Sequence, residues 1–93
     1  NQWIDLRLKS SVTLKELRIQ FQGGFAAKHI VVQYLDNENH VRSETDLYGE
    51  DSNDLQTFSL PDSTTDRIKL IFKQFSDLFY RIIVYNLQLI AIK

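Results

Sequence analysis

The stretch that decides the fold runs Leu17-Arg18-Ile19-Gln20-Phe21-Gln22-Gly23-Gly24-Phe25. Apolar and polar residues alternate over its first half, and a period of two is the pattern of a β-strand with one buried face. Gly23 and Gly24 then interrupt the alternation and supply backbone freedom for a sharp turn. The stretch therefore predicts a core strand, with Leu17, Ile19 and Phe21 buried, that ends in a glycine loop.

Similar patterns extend over the rest of the chain and predict seven strands in all: Gln2–Leu8, Val12–Gln22, Lys28–Leu35, Val41–Leu47, Leu55–Leu60, Arg67–Lys73 and Tyr80–Ile92. The apolar positions change parity near Lys15-Glu16, which indicates a β-bulge. Val41–Leu47 is weak and polar, which favours an edge strand. Many short strands with regularly spaced turn signals are typical of an antiparallel β-sandwich.

Polar segments separate these strands and predict turns or loops at Lys9–Ser11, Asp36–Asn39, Gly49–Asp54 and Asp62–Thr65. Asp36–Asn39 is the clearest of them, because Asn and Asp tolerate a left-handed backbone and bond to it locally. Pro61 is expected to end the fifth strand, since proline cannot donate to a sheet.

The final strand leaves an alternative open. Tyr80–Ile92 is apolar on both faces in places, which predicts a strand buried on both sides. A helix over Ser76–Ile92 is the competing interpretation, although the density of β-branched residues disfavours it.

Composition limits the class of protein. The 93 residues suffice for one domain with a modest core. Eleven basic and twelve acidic residues leave a net charge of −1, which is not the electrostatic footprint of a nucleic-acid binder. No cysteine is present, so disulfides and thiolate metal sites are excluded. The apolar stretch Phe79–Ile92 is too short to span a bilayer as a helix.

No motif points to catalysis or to a bound cofactor or metal. His29 and His40 show no metal-ligand spacing, and the acidic segment Asp46–Asp54 lacks the ligand order of a calcium loop. No Gly-x-Ser-x-Gly elbow occurs either. We therefore expect no enzyme activity.

Several aromatic residues fall in the predicted loops rather than in strands. Phe25 follows the two glycines, while Phe75 and Phe79 flank the connection between the last two strands. Apolar side chains on loop tips serve either recognition or anchoring of the loop. The sequence leaves both roles open.

A family resemblance sharpens these expectations. The matching residues are Gln2–Leu8, Val12, Leu17–Gln20, Gln22–Gly24, Arg67–Phe72 and Tyr80–Ala91. Together they resemble the discoidin family, also called coagulation factor five/eight type C, of the galactose-binding-like group. The resemblance implies one jelly-roll β-sandwich over residues 1–93, truncated because it lacks the family's N-terminal strands. Exposed sheet edges would then favour a homo-oligomer.

Further residues resemble an intracellular branch of that family: Ile19–Phe25, Asn53–Phe58, Asp66–Lys69 and Phe79–Tyr85. This implies a non-catalytic protein-interaction module that represses transcription through an orphan nuclear receptor, in nucleus and cytoplasm, without direct contact with nucleic acid or membrane. A carbohydrate-binding module is the alternative. Asn86 replaces an arginine common in discoidin domains, which disfavours ordinary lipid or glycan recognition.

The resemblance also suggests where the chain binds. Two loops, Gly23–Ala27 and Phe75–Phe79, correspond by position to binding loops of the family. The candidate binding residues are therefore Gly23, Gly24, Phe25, Phe75, Leu78 and Phe79.

Overall fold

The structure is a computed structural model that describes residues 2–92; the two ends of the predicted domain, residues 1 and 93, lie outside them. Five strands are present: β1 (Gln2–Phe21), β2 (Ala27–Leu35), β3 (Val41–Tyr48), β4 (Leu55–Phe75) and β5 (Val84–Ile92). They form one antiparallel sheet in the order β3-β2-β4-β1-β5. The all-β prediction is confirmed, and the helix alternative is wrong, since residues 2–92 contain no helix.

Two strands are too long to be straight. β1 has 20 residues and β4 has 21. An extended strand of 20 residues spans about 65 Å, whereas the longest dimension of the molecule is 35 Å. The pairing of β1 with β4 shifts register between Arg7 and Val12 and again between Leu14 and Glu16. These irregularities divide the sheet into two halves.

The two halves face each other across the core. In the first half, residues 2–7 of β1 pair with residues 67–72 of β4, β2 pairs with β4, and β3 pairs with β2. In the second half, residues 13–20 of β1 pair with residues 55–64 of β4 on one side and with β5 on the other. Phe72 pairs with Gln2, yet its ring meets that of Phe21 at the far end of β1, with centroids 6.2 Å apart. The sheet must therefore fold back on itself.

The core between the halves is built from the alternating apolar positions of three strands. Its fully buried members are Leu14, Leu17, Ile19 and Phe21 of β1, Ile30, Val32 and Tyr34 of β2, and Ile68, Leu70 and Phe72 of β4. The predicted burial of Leu17, Ile19 and Phe21 is thus confirmed. The finer prediction of a discoidin-like jelly roll remains a prediction.

Two predicted breaks are wrong. Lys9–Ser11 lies within β1, where the strand bends without ending. Pro61 and Asp62–Thr65 lie within β4. β2 pairs only with residues 68–75 of β4, so among the described residues the first half of β4 has one edge without a partner strand. A proline is tolerated at such an edge because its missing N–H group removes no ladder hydrogen bond.

The last strand also differs from its prediction. β5 begins at Val84 rather than Tyr80 and lies at the edge of the sheet, so it is half-buried rather than buried on both faces. The apolar residues before Val84 belong to the preceding loop. Other local predictions are confirmed: the register shift falls at Lys15, the turn forms at Asp36–Asn39, and β3 is a polar edge strand.

Candidate protein-interaction site

The two glycines form a tight turn between β1 and β2. Gly24 has a φ of 87°, and the Phe25 N–H donates to the Gln22 carbonyl at 2.9 Å. A positive φ at the third position is the geometry of a type II turn, which glycine adopts without steric cost. The turn therefore requires glycine at position 24.

The acidic loop between β3 and β4 holds this turn in place. The Gly23 N–H donates to Asn53 Oδ1 at 2.7 Å, and the Gly24 N–H donates to Asp51 Oδ1 at 2.8 Å. A Cβ atom at Gly23 would lie 3.2 Å from Asn53 Oδ1. Side-chain oxygens of the acidic loop thus serve the glycine turn as hydrogen-bond acceptors.

The loop of residues 76–83, between β4 and β5, is organised around Asp77. Its Oδ2 atom accepts hydrogen bonds from the N–H groups of Phe79 and Arg81, at 3.1 and 3.2 Å, and from Arg81 Nε at 2.9 Å. The hydrogen bond from the Arg81 side chain, helped by these backbone donors, lowers the pKa of Asp77. Only 12% of the Asp77 side chain is exposed. The loop is therefore ordered although it has no regular structure.

Backbone hydrogen bonds join this loop to the glycine turn. The Ile83 N–H donates to the Phe25 carbonyl, and the Gln22 N–H donates to the Ile83 carbonyl, both at 2.9 Å. Ser76 and Ala26 also bond to each other: the Ser76 N–H donates to the Ala26 carbonyl, and Ser76 Oγ accepts from the Ala26 N–H. The two predicted binding loops thus form one unit at one end of the sheet.

This unit presents apolar side chains to solvent. Leu78 is 88% exposed and Phe79 is 75% exposed. The Arg81 guanidinium carbon lies 5.3 Å from the centre of the Phe25 ring and 5.4 Å from that of Phe79. We call these four residues, Phe25, Leu78, Phe79 and Arg81, the loop surface. Its exposed members are large, and they lie on a loop whose backbone is held by hydrogen bonds.

The six predicted binding residues therefore have different roles. Leu78 and Phe79 are exposed and suited to contact, whereas Gly23 and Gly24 shape the turn beneath them. The prediction that Phe75 lies in a loop is wrong, because it is the last residue of β4 and pairs with Ala27. It is half-buried, packs against the core and meets the Tyr80 ring edge-on at 5.8 Å, which makes it an anchor. Phe25, also half-buried, has both roles, since its ring lies beside Arg81.

Sequence reasoning missed three residues of this region: Asp77, Arg81 and Tyr85. The Tyr85 hydroxyl donates to Gln22 Oε1 at 2.6 Å and adds a further link between β5 and the glycine turn. Aspartate favours turns because its side chain can accept a hydrogen bond from the backbone N–H group two residues later. Asp77 could therefore have been identified from the local sequence. Arg81 had a local signal too, because its carboxylate partner Asp77 lies four positions before it. Tyr85 had none, because its partner Gln22 lies on another segment.

The two histidines lie apart from this site and from each other. His29 Nε2 is 2.8 Å from Asp46 Oδ1, and the His29 ring stacks on Tyr48 with centroids 4.6 Å apart. His40 follows the turn between β2 and β3 and is exposed. Residues 2–92 contain no group of three or more side chains that could hold a metal ion, and no helix with the length and hydrophobicity of a membrane span.

A polar cavity of about 320 Å³ lies at the opposite end of β2 from the loop surface. Arginines and aspartates line it together, among them Arg7, Arg67, Asp36 and Asp66. Arg67 is already engaged, because it donates two hydrogen bonds to the Asp5 carboxylate. The cavity therefore offers mixed charges rather than a site for one ligand class.

Comparison with known proteins identifies relatives. No family model matches the chain, and no solved structure matches it. The chain is 37% identical over 93 residues to the nuclear receptor 2C2-associated protein of Mus musculus, and it covers 66% of that protein's length. The proteins of the same name from Danio rerio and Homo sapiens are 36% and 33% identical, with 67% of each length covered. All 93 residues are included in each match.

The chain thus spans about two thirds of the length of these relatives. Their name confirms the nuclear-receptor-associated part of the resemblance noted in the sequence. The discoidin part remains a prediction.

Proposed function

This chain belongs to the family of nuclear receptor 2C2-associated proteins, and we propose that it works as a non-catalytic module that binds a nuclear receptor through the loop surface. The observation that carries the proposal is the exposure of Leu78 and Phe79 on a loop tied to a second loop by backbone hydrogen bonds. The relatives' name supplies the class of partner.

Rigidity makes this surface suited to binding. Aromatic and arginine side chains contribute most to interface hot spots, and ordering them before association lowers the entropy cost of binding. The Asp77 hydrogen bonds and the links to the glycine turn fix the backbone under Phe79 and Arg81. The partner would therefore meet a preformed surface.

The engaged polar groups favour a protein partner over a sugar. A glycan site needs free donors and acceptors beside an aromatic ring. Asp77 here accepts from Arg81, while Asp51 and Asn53 accept from the glycine turn. The exposed part of the loop surface is mainly apolar, which supports the protein-interaction role rather than the carbohydrate-binding alternative.

Truncation of Phe79 tests the proposal. Phe79→Ala should raise the Kd for purified nuclear receptor 2C2 at least tenfold, because loss of a hot-spot aromatic costs about 2 kcal/mol. The melting temperature should barely change, since the ring is 75% exposed. Isothermal titration calorimetry and thermal denaturation measure the two quantities.

The matched control is Val41→Ala, which shortens an exposed apolar side chain at the start of β3, beside the far end of β2. It should leave the Kd unchanged. Equal binding by wild type and Phe79→Ala would contradict the use of the loop surface.

The finer function follows the sequence resemblance. It suggests testicular receptor four as the orphan receptor, repression of receptor-driven transcription as the outcome, and nucleus and cytoplasm as the location. A reporter gene driven by that receptor should be repressed by the wild-type chain and less so by Phe79→Ala. Equal repression by both would separate the repressor role from the loop surface.

A further inference from the structure

The two outermost strands of the sheet differ in how their edges are protected. β3 carries the charged, exposed residues Arg42, Glu44 and Asp46. β5 has neither a charged residue nor a proline from Val84 to Ile92. Charges and prolines on edge strands are the usual means by which proteins prevent pairing with another chain. β5 is therefore an edge without that protection.

The apolar layer of the core is also incomplete beside β5. Leu87 and Leu89 pair with Ile19 and Leu17 of β1 and pack against the core. Ile19 and Leu17 are fully buried, whereas the two leucines of β5 remain half-buried. Covering them would remove apolar surface from water, which is favourable.

We propose that a second copy of this chain covers this edge, with the two β5 strands paired antiparallel about a two-fold axis at Gln88. An antiparallel pair of identical strands has two-fold symmetry, so each copy uses the same surface. Centring the pair on Gln88 places Leu87 opposite Leu89 of the partner subunit and joins the two apolar layers. The Gln88 side chains meet on the outer face, where their amides can bond to each other.

Charge permits β5 to pair with its own copy and opposes the same pairing for β3. In a self-paired strand, residues near the centre meet residues of the same kind, and like charges directly opposite are destabilising. A pair of β3 strands centred near Glu44 would place two carboxylates together. β5 brings no charges into contact. Nine residues in an extended strand also give an edge about 30 Å long.

A single cysteine tests the register. The chain has no cysteine of its own, so Gln88→Cys introduces one thiol per copy. Side chains directly opposite in an antiparallel pair have Cβ atoms about 5 Å apart. We expect a short bismaleimide to convert most of Gln88→Cys into a covalent dimer. Glu44→Cys, on the exposed β3 edge, is the matched control and should not be cross-linked, although it should still associate through β5.

Sedimentation velocity tests the association itself. The wild-type chain should sediment with twice its 10.9 kDa mass and dissociate on dilution. Leu89→Lys places a charge in the joined apolar layer and should weaken the dimer at least tenfold, whereas Thr45→Lys, at a half-buried position of β3, should leave it intact.

Three results would overturn the proposal: a monomer at every concentration, equal cross-linking of the two cysteine variants, or a Leu89→Lys dimer as tight as the wild type. Should Leu89→Lys fail to fold, the cysteine pair still decides. One further result would assign the β5 edge to the additional segment of the relatives instead. This result is a polypeptide of the relatives' length that is monomeric under conditions in which this chain is dimeric.

Discussion

The turn after β2 and the loop after β4 use the same backbone arrangement and carry opposite kinds of side chain. Asp36 Oδ1 accepts from the N–H groups two and four residues later, on Glu38 and His40, both at 2.8 Å. Asp77 Oδ2 accepts from the N–H groups at the same spacing. In each segment the aspartate carbonyl also accepts from the residue three positions later, and that residue has a positive φ.

The difference lies in what the arrangement presents. The first segment carries Asn37, Glu38 and Asn39, which suit a solvated turn. The second carries Leu78, Phe79 and Tyr80, and its positive-φ residue is Tyr80, with a φ of 61°. An aromatic residue in the left-handed region is disfavoured relative to asparagine. Turn geometry alone therefore does not account for the apolar tip, and this supports its role in contact.

The largest effect is expected from removal of the second aspartate. Asp77→Ala takes away the acceptor of two backbone N–H groups and the partner of Arg81. It should lower the melting temperature by several degrees and weaken receptor binding at least tenfold. Asp36→Ala should lower the melting temperature and leave binding unchanged. Loss of binding in both variants would mean that the two segments are not functionally distinct.

A smaller effect tests the cost of the positive φ. Asn39→Tyr places a tyrosine at the positive-φ position of the first segment, where the second segment has Tyr80. The new ring would lack the contact that Tyr80 makes with Phe75. The left-handed backbone should then cost about 1 kcal/mol of unfolding free energy, measured by urea denaturation. Asn39→Gly is the control and should be close to neutral, because glycine adopts this conformation freely. Full stability of Asn39→Tyr would show that the backbone relaxes there.

The smallest effect concerns acid stability. Hydrogen bonds to the carboxylates, first from the His40 backbone for Asp36 and first from the Arg81 side chain for Asp77, lower both pKa values below 3.8. Because the folded-state pKa is the lower one, this stabilisation is complete above about pH 4 and is lost as the pH falls through the folded-state pKa. The melting temperature of Asp36→Asn and of Asp77→Asn should each fall less than that of the wild type between pH 5 and pH 2, because an amide takes up no proton over this range. An unchanged pH profile would contradict the role of these bonds.

Local patterns were sufficient where the determining interaction is local. Alternation identified the buried face of Leu17–Phe21, a change of parity located the bulge at Lys15, and turn chemistry located Asp36–Asn39. The same reasoning failed at Pro61 and Ser10, because both lie where the pairing of β1 with β4 shifts register, and the strands continue through these irregularities. That information lies in strand order, which no local window contains.

The candidate site shows the same limit. The resemblance located the two loops, and the structure brings Phe25 and Phe79 to the same arginine. The bond from Gly23 to Asn53 joins residues 30 positions apart, and the bond from Tyr85 to Gln22 joins residues 63 apart. Such pairs leave no periodic signal, so Tyr85 could not be selected from the sequence.

The amino-acid sequence by itself determined that this is an all-β chain, which face of Leu17–Phe21 is buried, that a turn forms at Asp36–Asn39, and which proteins the chain resembles. Those properties depend on side-chain alternation and on the conformational preferences of single residues. Only the tertiary structure decided that two long strands fold over, that β5 lies at the edge of the sheet, and that the apolar loop is bonded to the glycine turn. These depend on hydrogen bonds and contacts between segments far apart in the chain.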